Sequence, residues 1–192
     1  MLRRLVYPKV EPLLNQAAVF CSKKNLTPNQ LTFAGLVLNL LAAWIYASGV
    51  IFVGGLMILI AALGDLLDGT LARLTGKSSQ FGAFLDSTLD RYSDFFLFSG
   101  IAYYFANEGS WGWFLVTLGI LLGAFLTSYT KARAENFLPN FSVGLLERAE
   151  RIIILALGSI LTPLFHFSLV ILLIGTHATA LQRIWSVKKS LS

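Results

Sequence analysis

The chain has 192 residues, of which 56% are hydrophobic and 13% charged, and its mean hydropathy is +0.70. These values exclude an ordinary soluble domain and indicate one all-α integral membrane domain over residues 1–192. The net charge of +5 is not gathered into a patch suited to nucleic acid, and the lone Cys21 excludes an internal disulfide and a cysteine metal site.

Residues 1–25 mix Leu2, Leu5, Val6, Leu13, Leu14, Val19 and Phe20 with Arg3, Arg4, Lys9, Lys23 and Lys24. This pattern predicts an amphipathic juxtamembrane helix over Pro12 to Lys24, apolar side toward lipid and basic side toward anionic headgroups. No cleavable signal peptide is expected, because the first residues form no continuous apolar run. Thr27-Pro28-Asn29 is a helix start.

A bundle of six transmembrane helices is then expected over residues 26–192, since about 20 apolar residues cross a bilayer. The first two spans are Leu31 to Ser48 and Val50 to Leu67, joined tightly at Ser48-Gly49. The third begins near Phe84 and carries Asp86, Asp90 and Asp94 in its first half. Trp111 to Tyr129 is the fourth, Ile152 to Leu164 (extended backward through Leu145) the fifth, and Phe167 to Trp185 the sixth. Trp111, Trp113 and Trp185 fall near span ends, as an aromatic belt requires. Gly119 and Gly123 allow close helix packing, and the isolated His166 and His177 are expected to pack rather than catalyse.

Charge orients the bundle. All 15 Lys and Arg fall in the N-terminal segment, the connections after the second and fourth spans with the helix ends beside them, and the C-terminal segment. The positive-inside rule therefore places both termini on the cytoplasmic side, which an even number of spans satisfies. Nine of the ten acids lie on that side, with Glu108 opposite. A transporter passing cations would instead spread its acids through the membrane depth.

Four of those acids form a pattern. Asp65 and Asp68 are three apart and Asp86 and Asp90 four apart, so each pair shares a helix face. The polar stretch between them, from Arg73 to Gly82, is rich in turn formers and predicts an antiparallel helix pair aiming both acid pairs at one point. Carboxylates at membrane depth need water, protein partners or cations, and oxygen-only ligands suit Mg²⁺ or Mn²⁺. Gly69 and Gly82 would let a ligand approach the backbone.

Asp65, Asp68, Gly69, Ala72, Arg73, Gly82, Asp86 and Asp90 match each fixed position of D-x-x-D-G-x-x-A-R-x8-G-x-x-x-D-x-x-x-D. The run resembles the signature of the CDP-alcohol phosphotransferases, and the flanking apolar spans extend the resemblance over most of the chain. It implies transfer of a phosphatidyl or archaetidyl group from a CDP-linked lipid to an alcohol, with release of CMP. Asp65, Asp68, Asp86 and Asp90 would then hold divalent metal, two ions being expected, and Asp90 would also act as general base. Asp65, Asp68, Gly69, Ala72, Arg73, Gly82 and Asp86 would bind the nucleotide. A homodimer is implied as well.

A second basic cluster follows the fourth span: Ser128, Lys131 and Arg133, then Arg148 and Arg151, with Arg183 near the end of the last span. Cations from separate spans at one depth suit a phosphorylated acceptor. S-Y-x-K-A-R-A-E, G-L-x-E-R-x-E-R and the terminal Gln182-Arg183 resemble the phosphatidylinositol-phosphate synthase branch of the family, including its archaeal ether-lipid relatives. That resemblance implies inositol 1-phosphate as acceptor, held by Ser128, Lys131, Arg148, Arg151 and Arg183. Glycerol 3-phosphate would suit the same chemistry.

Overall fold

The computed structural model describes residues 2–139 and 141–191, with side chains from Val10 onward. Among the described residues the chain is helical without strands: α1 (Leu2–Lys23), α2 (Pro28–Ala47), α3 (Ile51–Leu74), α4 (Gln80–Asn107), α5 (Trp111–Glu135), α6 (Arg148–Ile160), a 3-10 turn (Thr162–Leu164) and α7 (Phe165–Leu191).

The boundaries follow local chemistry. α2 opens on a reciprocal cap, in which Thr27 Oγ1 accepts from the Gln30 N–H at 3.3 Å and Gln30 Oε1 from the Thr27 N–H at 2.8 Å. The turn to α3 needs φ +81° at Gly49, and the one after α3 needs +64° at Gly76, conformations that glycine adopts without strain. Ser79 caps α4 by accepting the Gly82 N–H at 2.9 Å.

Helices α3, α2, α4, α5, α7 and α6 form a closed ring in which each packs against the next and α6 returns to α3. Tyr46, Ile58, Leu97, Phe98, Ile120, Leu155 and Leu169 fill its centre, and Tyr46 Oη shares a 2.7 Å hydrogen bond with Ser159 Oγ. The glycine pair of α5 does bring α7 close. A Cβ at Gly123 would collide with Thr176, and one at Gly119 would come within 2.7 Å of Leu173. His177 Nε2 lies 3.1 Å from the Gly119 carbonyl, while His166 packs among Phe105, Trp113 and Phe165 at the end of the bundle remote from the acids.

Three expectations need correction. Helix α1 begins well before Pro12, and it packs against α3 and α6: Leu14, Ala18 and Cys21 are buried, the last two with Leu71, while Leu13 and Phe20 stay exposed. The face expected from Leu2, Arg3, Arg4, Leu5, Val6 and Lys9 lies outside the described side chains. The fifth apolar stretch does not reach back to Leu145. Residues before Arg148 are irregular, and α6 has 13 residues, about 20 Å of helix against a hydrocarbon layer of about 30 Å.

Among the described residues four helices, α2, α3, α5 and α7 with the preceding 3-10 turn, are long and apolar enough to cross a membrane. α4 has 28 residues but carries Asp86, Asp90, Arg91 and Asp94 toward the charged end of the ring. Finally, α3 and α4 are not an intimate pair. Helix α2 packs against both and separates them.

Candidate active site

The charged residues converge at one end of the ring, where α2, α4 and α6 begin and α3, α5 and α7 end. Asp65 and Asp68 lie one turn apart on α3. Thr32 on α2 donates to Asp68 Oδ2 at 2.7 Å and leaves Asp68 buried. Gly35, one turn further along α2, makes room for Asp65: a Cβ there would be 2.6 Å from Asp65 Oδ1. Asp86 and Asp90 face the same region from α4, both partly buried.

Arg148, the first residue of α6, ties the two acid helices together. Its Nη1 lies 2.5 Å from Asp65 Oδ2 and 2.8 Å from Asp90 Oδ1, and its Nε is 3.6 Å from Asp94 Oδ1. Asp94, one turn beyond Asp90 and only 2% exposed, is held by Arg151 Nη2 at 2.7 Å and approached by Arg91 Nη2 at 3.9 Å. The row Asp86, Asp90, Asp94 thus divides: its last member serves the arginines. Arg91 also reaches Asp90 Oδ2 at 3.5 Å.

Beside the acids lies a cleft of about 930 Å³, near the upper end of the range of small-ligand pockets. Asp90, Arg91, Ser128, Lys131, Arg148, Arg151 and Arg183 are all on its wall, so the cations expected from three separate spans do meet. All of these cations already have protein partners. Arg151 Nη1 donates to Thr127 Oγ1 at 3.2 Å, and Arg183 donates to the Val143 carbonyl at 2.7 Å and to the Thr127 carbonyl. Glu147 Oε1 lies 3.3 Å from both Lys131 Nζ and Arg183 Nη2. Of the four signature acids, Asp90 alone lines this cleft.

The remaining signature residues lie on the last turns of α3 and the first of α4. Gly69 faces open space apart from Arg73 Nη1, which a Cβ would meet at 3.5 Å, and Arg73 Nη2 donates to Thr70 Oγ1 at 3.1 Å. Gly82 serves the cap as well, because a Cβ there would press on Ser79 Oγ at 3.1 Å. Thr32, Gly35, Arg91, Asp94 and Glu147 escaped the sequence reading of the site. Asp94 carried a positional signal as the continuation of the Asp86–Asp90 row, and Glu147 is the first glutamate of the G-L-x-E-R-x-E-R stretch.

The donor set fits a divalent cation in kind. It consists of carboxylate oxygens alone, and one guanidinium nitrogen bridging Asp65 and Asp90 shows that a single positive group can serve both helices. Among the described residues, no three of the acids gather into a ready-made metal cage. Arg148 stands between two of them.

A row of acids next to a cleft walled by arginines, in a bundle with helices long and apolar enough to cross a membrane, suits an enzyme that handles phosphorylated substrates at a bilayer. The model of the CDP-alcohol phosphatidyltransferase family matches residues 25–182, and the chain belongs to that family of membrane transferases of phospholipid biosynthesis. It is 36% identical to the archaetidylinositol phosphate synthase of Pyrococcus horikoshii, over 97% of this chain and 96% of that one. Among solved structures, it superposes on the phosphatidylinositol phosphate synthase of Mycobacterium tuberculosis with CDP-DAG bound at a TM-score of 0.85, with 30% identity, covering 92% of this chain and 94% of that one. The same enzyme in complex with manganese and citrate gives a TM-score of 0.84 at 30% identity, covering 91% and 88%.

Proposed function

We propose that this enzyme transfers the phosphatidyl or archaetidyl group of a CDP-linked lipid to inositol 1-phosphate, giving the inositol phospholipid phosphate and CMP. The observation that carries the reading is the position of Asp90, which lines the cation-rich cleft and is joined through Arg148 to Asp65 of the acid cluster. Relatives whose names specify inositol phosphate products, and a similar structure holding CDP-DAG, support the choice of donor and acceptor.

In this reading Asp65, Asp68, Asp86 and Asp90 hold two divalent ions, Mg²⁺ or Mn²⁺. Such ions would neutralise the pyrophosphate and stabilise the departing CMP phosphate. Gly69, Ala72, Gly82 and Arg73 border the cytidine and phosphate. Ser128, Lys131, Arg148, Arg151 and Arg183 bind the acceptor's phosphate and direct its free hydroxyl toward Asp90. The Asp90 carboxylate takes the hydroxyl proton as that oxygen bonds to the lipid-bearing phosphorus, and the bond from this phosphorus to CMP breaks.

The same reading takes residues 1–192 as one domain, with residues 1–25 at the membrane surface and the six ring helices in the bilayer. Both termini and the site face the cytoplasm, and the enzyme works as a homodimer in the cell membrane.

The test is CMP release from CDP-lipid by the purified enzyme in detergent with Mn²⁺, offering inositol 1-phosphate or glycerol 3-phosphate. Turnover that prefers inositol 1-phosphate and stops on adding EDTA is expected. A higher kcat/KM with glycerol 3-phosphate would reject the acceptor assignment, and turnover indifferent to EDTA would reject the metal.

A further inference from the structure

The acceptor cleft carries more negative charge than a phosphate site calls for. Glu147 lies on its wall among the cations, and a carboxylate beside a bound phosphate repels it. Four observations indicate that this acid is not simply structural. It is the N-cap residue of α6, yet its side chain makes no capping hydrogen bond. The side chain is 43% exposed, so the cleft is open to it. Its contacts with Lys131 and Arg183 both fall on Oε1 and are both 3.3 Å, longer than the 2.7–2.9 Å or so of close ammonium– or guanidinium–carboxylate bonds. Among the described residues, Oε2 has no hydrogen-bond partner.

An ionised carboxylate is an acceptor only, so the groups it can recognise are donors. A phosphate ester entering the cleft brings an anionic end and a hydroxyl-bearing end. Repulsion keeps the first away from Glu147 and turns the second toward it. A cyclic polyol presents hydroxyls around its whole rim, whereas a short glycerol chain presents two. We propose that Glu147 is a specificity-determining residue, whose carboxylate accepts hydrogen bonds from the hydroxyls of a polyol phosphate while the surrounding cations hold its phosphate. This rests on the reading that the acceptor is inositol 1-phosphate.

The experiment compares wild type, Glu147→Ala and Glu147→Gln in detergent with CDP-lipid and Mn²⁺, measuring kcat/KM for inositol 1-phosphate and for glycerol 3-phosphate. Hydrogen bonds to a charged group are worth enough that the preference for inositol 1-phosphate, taken as the ratio of the two values, should fall about tenfold or more in Glu147→Ala. Glu147→Gln keeps one acceptor oxygen at the same reach and should retain part of the preference. It also serves if the alanine variant fails to fold. Equal losses with both acceptors in either folded variant would make Glu147 a counter-ion that only steadies Lys131 and Arg183, and would overturn the proposal. A wild-type enzyme that does not use inositol 1-phosphate would overturn the acceptor assignment itself, and this proposal with it. The two failures are told apart because only the second is seen without any mutation.

Discussion

Arg148 and Asp65, 83 residues apart in sequence, meet at 2.5 Å where α6 and α3 adjoin. The same nitrogen lies 2.8 Å from Asp90, so one guanidinium balances acids from two helices. Both partners are mostly buried, and removing one member of such a pair leaves charge uncompensated, at a cost of about 3 kcal/mol or more. Arg148→Ala should therefore lower the melting temperature of the metal-free protein. Mn²⁺ should stabilise this variant more than wild type, because a bound cation supplies the missing charge and competes with no arginine. Thermal unfolding in detergent, with and without Mn²⁺, measures both effects. An equal Mn²⁺ shift in the two proteins would mean that the ion and the arginine do not share these carboxylates.

Asp90→Asn removes the proton acceptor that faces the cleft while keeping its size. CMP release should drop by about 10²–10⁴-fold, the usual contribution of a positioned general base and a minimum if metal is also lost. CDP-lipid binding, measured separately, should suffer less, since Asp65, Asp68 and Asp86 remain. Turnover near the wild-type rate would remove Asp90 from the mechanism.

Asp94 is the anchor on which Arg151 and Arg148 converge, and it is almost fully buried. Asp94→Asn should cost about 3–5 kcal/mol of stability by leaving arginines partly uncompensated. In protein kept folded by low temperature, it should raise KM for the acceptor more than KM for CDP-lipid, because Arg148 and Arg151 wall the cleft proposed to hold the acceptor. Chemical denaturation and the two KM values check this. An equal rise in both would make Asp94 a general packing residue.

Gly100 offers a control remote from the acids. A Cβ there would overlap the backbone of Ala43, where α4 crosses α2. Gly100→Ala should cost about 1–3 kcal/mol, as forced overpacking does, and leave KM for both substrates in place. Thermal unfolding and steady-state kinetics are the measurements. A KM effect would show that the α2–α4 contact also sets the site.

Much of this architecture is legible in the residues. The acid pairs, the capped start at Thr27, the glycine turns and the clustering of cations toward one side all reflect local spacing or composition, and the ring places them accordingly. The contributions of α2 were not legible. Thr32 and Gly35 sit in an apolar run with nothing to mark them, and their roles come from facing Asp68 and Asp65 across a helix contact. The separation of α3 from α4 was hidden as well. A short turn makes two helices sequential and antiparallel, but it does not make them pack. Here α2 takes the place between them, and the bridge across the gap is supplied by Arg148 from a remote part of the chain. The start of α6 was misread because Leu145 and Leu146 look like a continuation of its apolar stripe, whereas the backbone there is irregular and Leu146 packs against Gly175 of α7.

The anchoring of Arg183 bears on how the acceptor is greeted. Its guanidinium is fixed by the carbonyls of Val143 and Thr127 and by Glu147, and Gly144 has no side chain to push it away. An arginine in solution samples many rotamers, and ordering it on ligand binding costs up to about 2 kcal/mol of entropy. Here that freedom is already gone when the chain folds, so the incoming anion meets a charge that need not be frozen into place. A lysine would carry the same charge on a loose stem without the planar fork that makes these contacts, and the site would lose its rigidity while keeping its electrostatics.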